Sequence, residues 1–227
     1  MSGFRAVWEG LDWSVLLFKI LEIIPAIICI TLHELSHGLV AYALGDDTAK
    51  KAGRLTLNPL VNLDWMGLLA MVIFHFGWAK PVPVNPGKMK NPKRGMALTA
   101  LAGPVSNFLI TVFFLILYGS LFDVLENRMS SAAGEILLSL IISTAEMSLM
   151  LGLFNLIPIP PLDGFKVVSS VLRDDLYWKI MRYERYGFLV LILLVRVVNI
   201  TAPLDSVFVW VMNKLFVIAQ FAYNLVN

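Results

Sequence analysis

Long apolar runs set the limits of what this chain can fold into. They cover about Ser14 to Leu44, Met66 to Trp78, Met96 to Phe122, Glu135 to Ile157, Tyr186 to Ile200 and Val207 to Val226. A helix that crosses a bilayer needs about 20 apolar residues. The first, third, fourth and sixth runs reach that length, and the fifth does if it starts near Tyr183. Of the 227 residues, 58% are hydrophobic and only 15% charged, against about 25% charged in soluble domains. The fold expected is an all-α polytopic membrane protein of five to six transmembrane helices, one integral membrane domain over 1–227. The net charge of +2, with no basic patch interleaved with aromatics, points away from nucleic acid. A single cysteine, Cys29, rules out an internal disulfide framework. The opening MSGFRAVWEGLDW holds two acids and no small-residue cleavage site, so no removable signal peptide is expected.

The second run, about 13 residues, is short for a span. Its flanks, GRLTLNPLVNLDW and GWAKPVPVNP, are rich in Pro, Asn, Gly and β-branched residues and read as turns and short extended strands. If the run re-enters, the segments 45–65, 79–95 and 158–185 share one side and carry thirteen Lys and Arg, against Arg5 and Arg128 opposite. If it spans, the split is eleven against four. Both arrangements put 79–95 and 158–185 in the cytoplasm, and the re-entrant one gives the stronger positive-inside bias.

Within the first run, ICITLHELSHGLVAYALG places His33, Glu34 and His37 in an otherwise apolar helix. Residues four apart lie on one face a turn apart, so both imidazoles reach one metal ion. The glutamate points to an adjacent side, where it can hold a water. Such a pattern also arises by chance, but ionisable groups inside a membrane are costly and mark function. A catalytic zinc site needs a third protein ligand and an open position. His75, the only other histidine, and Asp163 are the candidates. Asp163 follows Pro158, Pro160 and Pro161, which break the helix and leave backbone groups that need partners inside protein or at a wet cavity. An Asp–Gly turn at the membrane edge is the competing reading.

HELSHG, AGPVSN (Ala102 to Asn107) and NLIPIPPLDG (Asn155 to Gly164) occur in that order on three successive long helices. This ordered set resembles the site-2 protease family of intramembrane zinc metalloproteases, over about residues 20 to 175. GDDTAKKAGRLTLNP and WAKPVPVNP resemble its compact prokaryotic branch, without PDZ or CBS domain. The resemblance implies one Zn²⁺ per chain held by His33, His37 and Asp163, with Glu34 as catalytic base. Asn155 matches the asparagine that steadies the substrate or the developing oxyanion. Gly103 and Pro104 match a pair that lets the third core helix approach the metal, with Asn107 as its polar partner. Phe165 stands where a second glycine is common, and His75 has no family role.

The expected activity is hydrolysis of peptide bonds in or near transmembrane segments of membrane proteins. The expected place is a prokaryotic plasma membrane, with the active site facing the cytoplasm. The core, 14–175, would hold the metal site, and 176–227 two C-terminal helices. A small membrane-associated β element near the metal would take up an unwound substrate by strand addition. The rival readings are a metal carrier or transporter and an inactive scaffold homologue. A transporter would be expected to repeat its pattern in two halves, and no repeat is visible; the intact glutamate and ligand set argue against a scaffold. Glu146, in the fourth run, is placed as a residue able to line the substrate cavity.

Overall fold

A computed structural model describes residues 21, 23–62, 64, 67, 80–128, 132–182, 186, 187, 191, 193 and 201–226. Its helices are α1 (Ile23–Ala43), α2 (Thr48–Lys51), α3 (Pro59–Asn62), α4 (Pro92–Phe122), α5 (Ala132–Asn155), α6 (Asp163–Ser169), α7 (Asp174–Met181) and α8 (Thr201–Val226). A 3₁₀ turn covers Pro86–Lys88, and a π-helical segment, Asp123–Arg128, extends α4. Four of these helices, α1, α4, α5 and α8, are long and apolar enough to cross a membrane. The 21 residues of α1 rise about 31 Å, matching a hydrocarbon core of about 30 Å. The runs Met66 to Trp78 and Tyr186 to Ile200 lie largely outside the described residues, as does His75.

Helix α4 is the hub, packing against α1, α5, α6 and α8. Its start is set by Asn91, whose side chain accepts from the Arg94 N–H, and by Pro92 in the first turn, where no helical N–H is lost. Apolar packing alone cannot hold helices together in lipid, so small residues and polar stitches take over. Thr111 Oγ1 donates to the Ala145 carbonyl at 3.2 Å, and Ser148 Oγ to the Asn107 carbonyl at 2.9 Å, joining α4 to α5. The Cys29 thiol, fully buried, donates to the Thr144 carbonyl and joins α1 to α5. Leu115, Ala145, Leu149, Met212 and Ala219 form the core between α4, α5 and α8. The exterior is apolar: Leu109, Phe113, Trp210 and Phe221 are all exposed.

Among the described residues there is no strand. The segment 81–85 has no regular structure, with Asn85 in an extended conformation, and two of its N–H groups are engaged by carboxylates. Pro81 and Pro83 have none, Val82 donates to Glu34 Oε2 at 2.9 Å, and Asn85 donates to Asp46 Oδ2 at 2.6 Å.

Candidate metal centre

Helix α1 carries His33 and His37 one turn apart, both buried, with imidazole rings perpendicular and 4.5 Å between centroids. Their Nε2 atoms lie 3.0 Å apart. Asp163 arrives from another direction. Helix α5 ends at Asn155, and the prolines of 158–161 turn the chain back so that α6 opens on Asp163. Gly164 makes the reversal possible, since a Cβ there would run into the Leu156 backbone. Asp163 Oδ2 ends 3.2 Å from His33 Nε2 and 3.1 Å from His37 Nε2.

The third wall is α4. Gly103 faces both imidazoles so closely that a Cβ would sit 2.5 Å from His33 Cε1 and His37 Nε2. One turn earlier, the Thr99 carbonyl lies 2.7 Å from His37 Nδ1. A carbonyl oxygen only accepts, so Nδ1 carries the proton and Nε2 presents a lone pair to the cluster. Pro104, inside the helix, has no N–H to give the Ala100 carbonyl one turn back.

Three candidate ligand atoms, Nε2 of His33 and of His37 and Oδ2 of Asp163, thus converge within 3.0–3.2 Å of one another. Without a proton or a cation among them their lone pairs repel. Three corners of a tetrahedron around an ion with ligand distances of about 2.05 Å are about 3.3 Å apart. Two imidazoles and a carboxylate are also the donor types a catalytic zinc takes while keeping a fourth position open. The residues fit a divalent ion of that kind.

Glu34 is half-buried beside the cluster and is not one of its three converging residues. Its Oε2 accepts from the Val82 N–H at 2.9 Å. The Val82 segment is itself fixed. The Arg54 guanidinium, buried, donates to Asn62 Oδ1 at 2.9 Å and to the Lys80 carbonyl, while Lys80 N–H donates to the Asn62 carbonyl at 3.1 Å. Asp46, also fully buried, accepts from Thr48 N–H and Asn85 N–H. Burial works against the charged form of Asp46, but its hydrogen bonds prevail and hold the carboxyl below its usual range.

Asn155 donates through Nδ2 to the Leu151 carbonyl of its own helix at 3.0 Å. Asn107 is fully buried on α4, and Gly152 packs against it, with 3.1 Å from a Cβ built there to the Asn107 Cβ. Glu146 is exposed on α5 and takes no part in the cluster. Sequence reasoning had no view of Thr99, Arg54 or Asp46. Arg54 and Asp46 were detectable as charged residues beside the strand-like segments, whereas Thr99 acts through its backbone and leaves no side-chain signal.

Membrane helices built around a buried two-histidine, one-carboxylate cluster, with a glutamate beside it, define a membrane-embedded metallopeptidase. Residues 21–195 match the description "Peptidase family M50". The chain belongs to this family, the site-2 proteases, which are intramembrane zinc metalloproteases. It is 39% identical over 192 residues to "Putative zinc metalloprotease YwhC" of Bacillus subtilis, covering 84% of each chain. It is 28% identical over 181 residues to "Putative zinc metalloprotease Rip2" of Mycolicibacterium smegmatis, covering 77% of this chain and 66% of that one. It is 27% identical over 187 residues to "Zinc metalloprotease MJ0392" of Methanocaldococcus jannaschii, covering 82% of this chain and 40% of that one. No solved structure matches the chain.

Proposed function

We propose that His33, His37 and Asp163 hold one zinc ion per chain and that Glu34 is the catalytic base for peptide-bond hydrolysis in or near a substrate's transmembrane segment. The convergence of two Nε2 atoms and Oδ2 within 3.2 Å carries the reading. When bound, zinc supplies Lewis-acid polarisation of the scissile carbonyl and brings the pKa of a water toward neutrality. The chain's residues do the rest. The Thr99 carbonyl fixes the His37 tautomer and aims its Nε2 inward. Val82 N–H holds one oxygen of Glu34, leaving Oε1 to take a proton from the attacking water and return it to the leaving amine. Asn155, at the end of α5, steadies the substrate or the developing oxyanion after releasing its bond to Leu151.

The ends of α1 and α5 that meet at this site adjoin the lysine- and arginine-rich segments, which supports an active site facing the cytoplasm of a prokaryotic cell membrane. The domain is a single unit over 1–227, with its core at 14–175 and two further helices in 176–227, giving five to six spans. The 81–85 segment beside Glu34, whose Val82 and Asn85 N–H groups are already engaged, offers its backbone carbonyls to an unwound substrate strand, and such pairing would complete a β element. Metal analysis of purified variants tests the ligand set. Asp163→Ala is expected to weaken zinc binding by more than about 100-fold, and His75→Ala to leave it unchanged. The opposite pattern would remove Asp163 from the ligand set.

A further inference from the structure

A cavity of about 580 Å³ opens between the first turns of α4 and helix α7. Asn91, Arg94, Leu98, Ser170, Asp174 and Trp178 line it. Two things about it are unexplained by the metal centre: its charge and its lower wall.

The charge comes from unpaired cations. Lys93 is already committed, through Nζ, to the Leu172 carbonyl and to Asp174 Oδ1 at 3.0 Å, and its ammonium faces the Tyr177 ring. Asp175 is taken by Arg173. The two acids are therefore neutralised, while Arg94, in the cavity, and Lys90 and Lys179, next in sequence to the lining residues Asn91 and Trp178, have no ion-pair partner among the described residues. The lower wall is Leu98, 42% exposed. It begins a stripe of exposed apolar side chains on α4, continued by Leu101, Val105 and Leu109 at helical spacing.

Depth decides what such a site meets. The 31 residues of α4 rise about 46 Å, about 16 Å more than the hydrocarbon core, and Lys93 and Arg94 in its first turn, just after Lys90, make this the end that belongs among lipid headgroups. Helix α7 lies there too, with Leu176 and Trp178 exposed beside Lys179, the residue types of an interfacial helix. We propose that this cavity binds the phosphodiester headgroup of an anionic phospholipid, with Arg94 on the phosphate and one acyl chain along Leu98, Leu101 and Val105. Arginine suits a phosphate because its fork donates two parallel hydrogen bonds. The surrounding cations select an anionic headgroup over a zwitterionic one.

The test uses the full-length protein in detergent, followed by native mass spectrometry as phosphatidylglycerol is added. Wild type is expected to show one saturable adduct. Arg94→Gln should weaken it about tenfold, and Arg94→Lys should restore part of the loss. Inorganic phosphate at millimolar concentration should not displace the lipid; displacement would mean a free-phosphate site and overturn the lipid assignment. Independently of any Arg94 variant, phosphatidylglycerol brominated on its acyl chains should quench the fluorescence that Trp178→Phe removes, more strongly than brominated phosphatidylcholine at equal content. Equal quenching by the two lipids, or an adduct unaffected by Arg94→Gln, would overturn the proposal.

Discussion

Gly103 shapes the metal centre by what it lacks. A methyl group there would lie 2.5 Å from atoms of both histidines, inside van der Waals contact and against rings carried by α1, of which His37 is also held by the Thr99 carbonyl. Overpacking of this kind costs about 1–3 kcal/mol. Gly103→Ala is therefore expected to weaken zinc binding about tenfold or more, measured by chelator competition, with little loss of helix content by circular dichroism. Unchanged affinity would mean that α4 can retreat freely. The three clustered residues stand out in sequence as candidates because an ionisable group inside an apolar run has few structural reasons to be there. Residue spacing left His75 and Asp163 as alternatives, and the family resemblance favoured Asp163. The turn ending at Gly164 brings Asp163 to the histidines. The Thr99 contact was illegible, because any residue offers a carbonyl.

At the scale of elements, four of the apolar runs were legible by length as membrane-crossing helices, and the 81–85 segment was not. Its β-branched residues and flanking prolines read as strand, yet its N–H groups are spent on Glu34 and Asp46, which only the folded chain brings near. Asp46 is the clamp that makes this so. Because its folded pKa lies below the ordinary value, its contribution is full above the unfolded pKa of about 3.9 and is lost as pH falls through the folded pKa. Asp46→Ala should cost about 1–3 kcal/mol at neutral pH, and thermal unfolding of wild type and variant should converge as the pH is taken below 4. A gap that persists under acid would show that the carboxylate charge is not what matters. The short run Met66 to Trp78 gives a topological prediction of its own. Its 13 residues would rise about 20 Å as helix, short of the core thickness, so re-entry is expected. Single cysteines at Gly3 and Lys51 in a Cys29→Ser background, treated on intact cells with an impermeant thiol reagent, should label at Gly3 only. Labelling at Lys51 and not Gly3 would mean that the run spans.

For the whole molecule, composition alone sufficed to exclude a soluble fold, since 58% hydrophobic residues leave no way to cover the apolar surface with a polar one. What composition could not convey is how a membrane protein keeps a water-using site in its interior. The buried cluster lies where α1, α4 and α6 meet, with the Arg54, Asn62 and Asp46 network holding the neighbouring chain in place. In the proposed mechanism His33, His37 and Asp163 bind metal and Glu34 does not. The most direct measurement pairs zinc content with cleavage of a membrane-protein substrate in purified Glu34→Gln. The variant should hold one zinc per chain like wild type, while cleavage falls by about 10² to 10⁴. Loss of zinc with the glutamate, or cleavage at the wild-type rate, would contradict it.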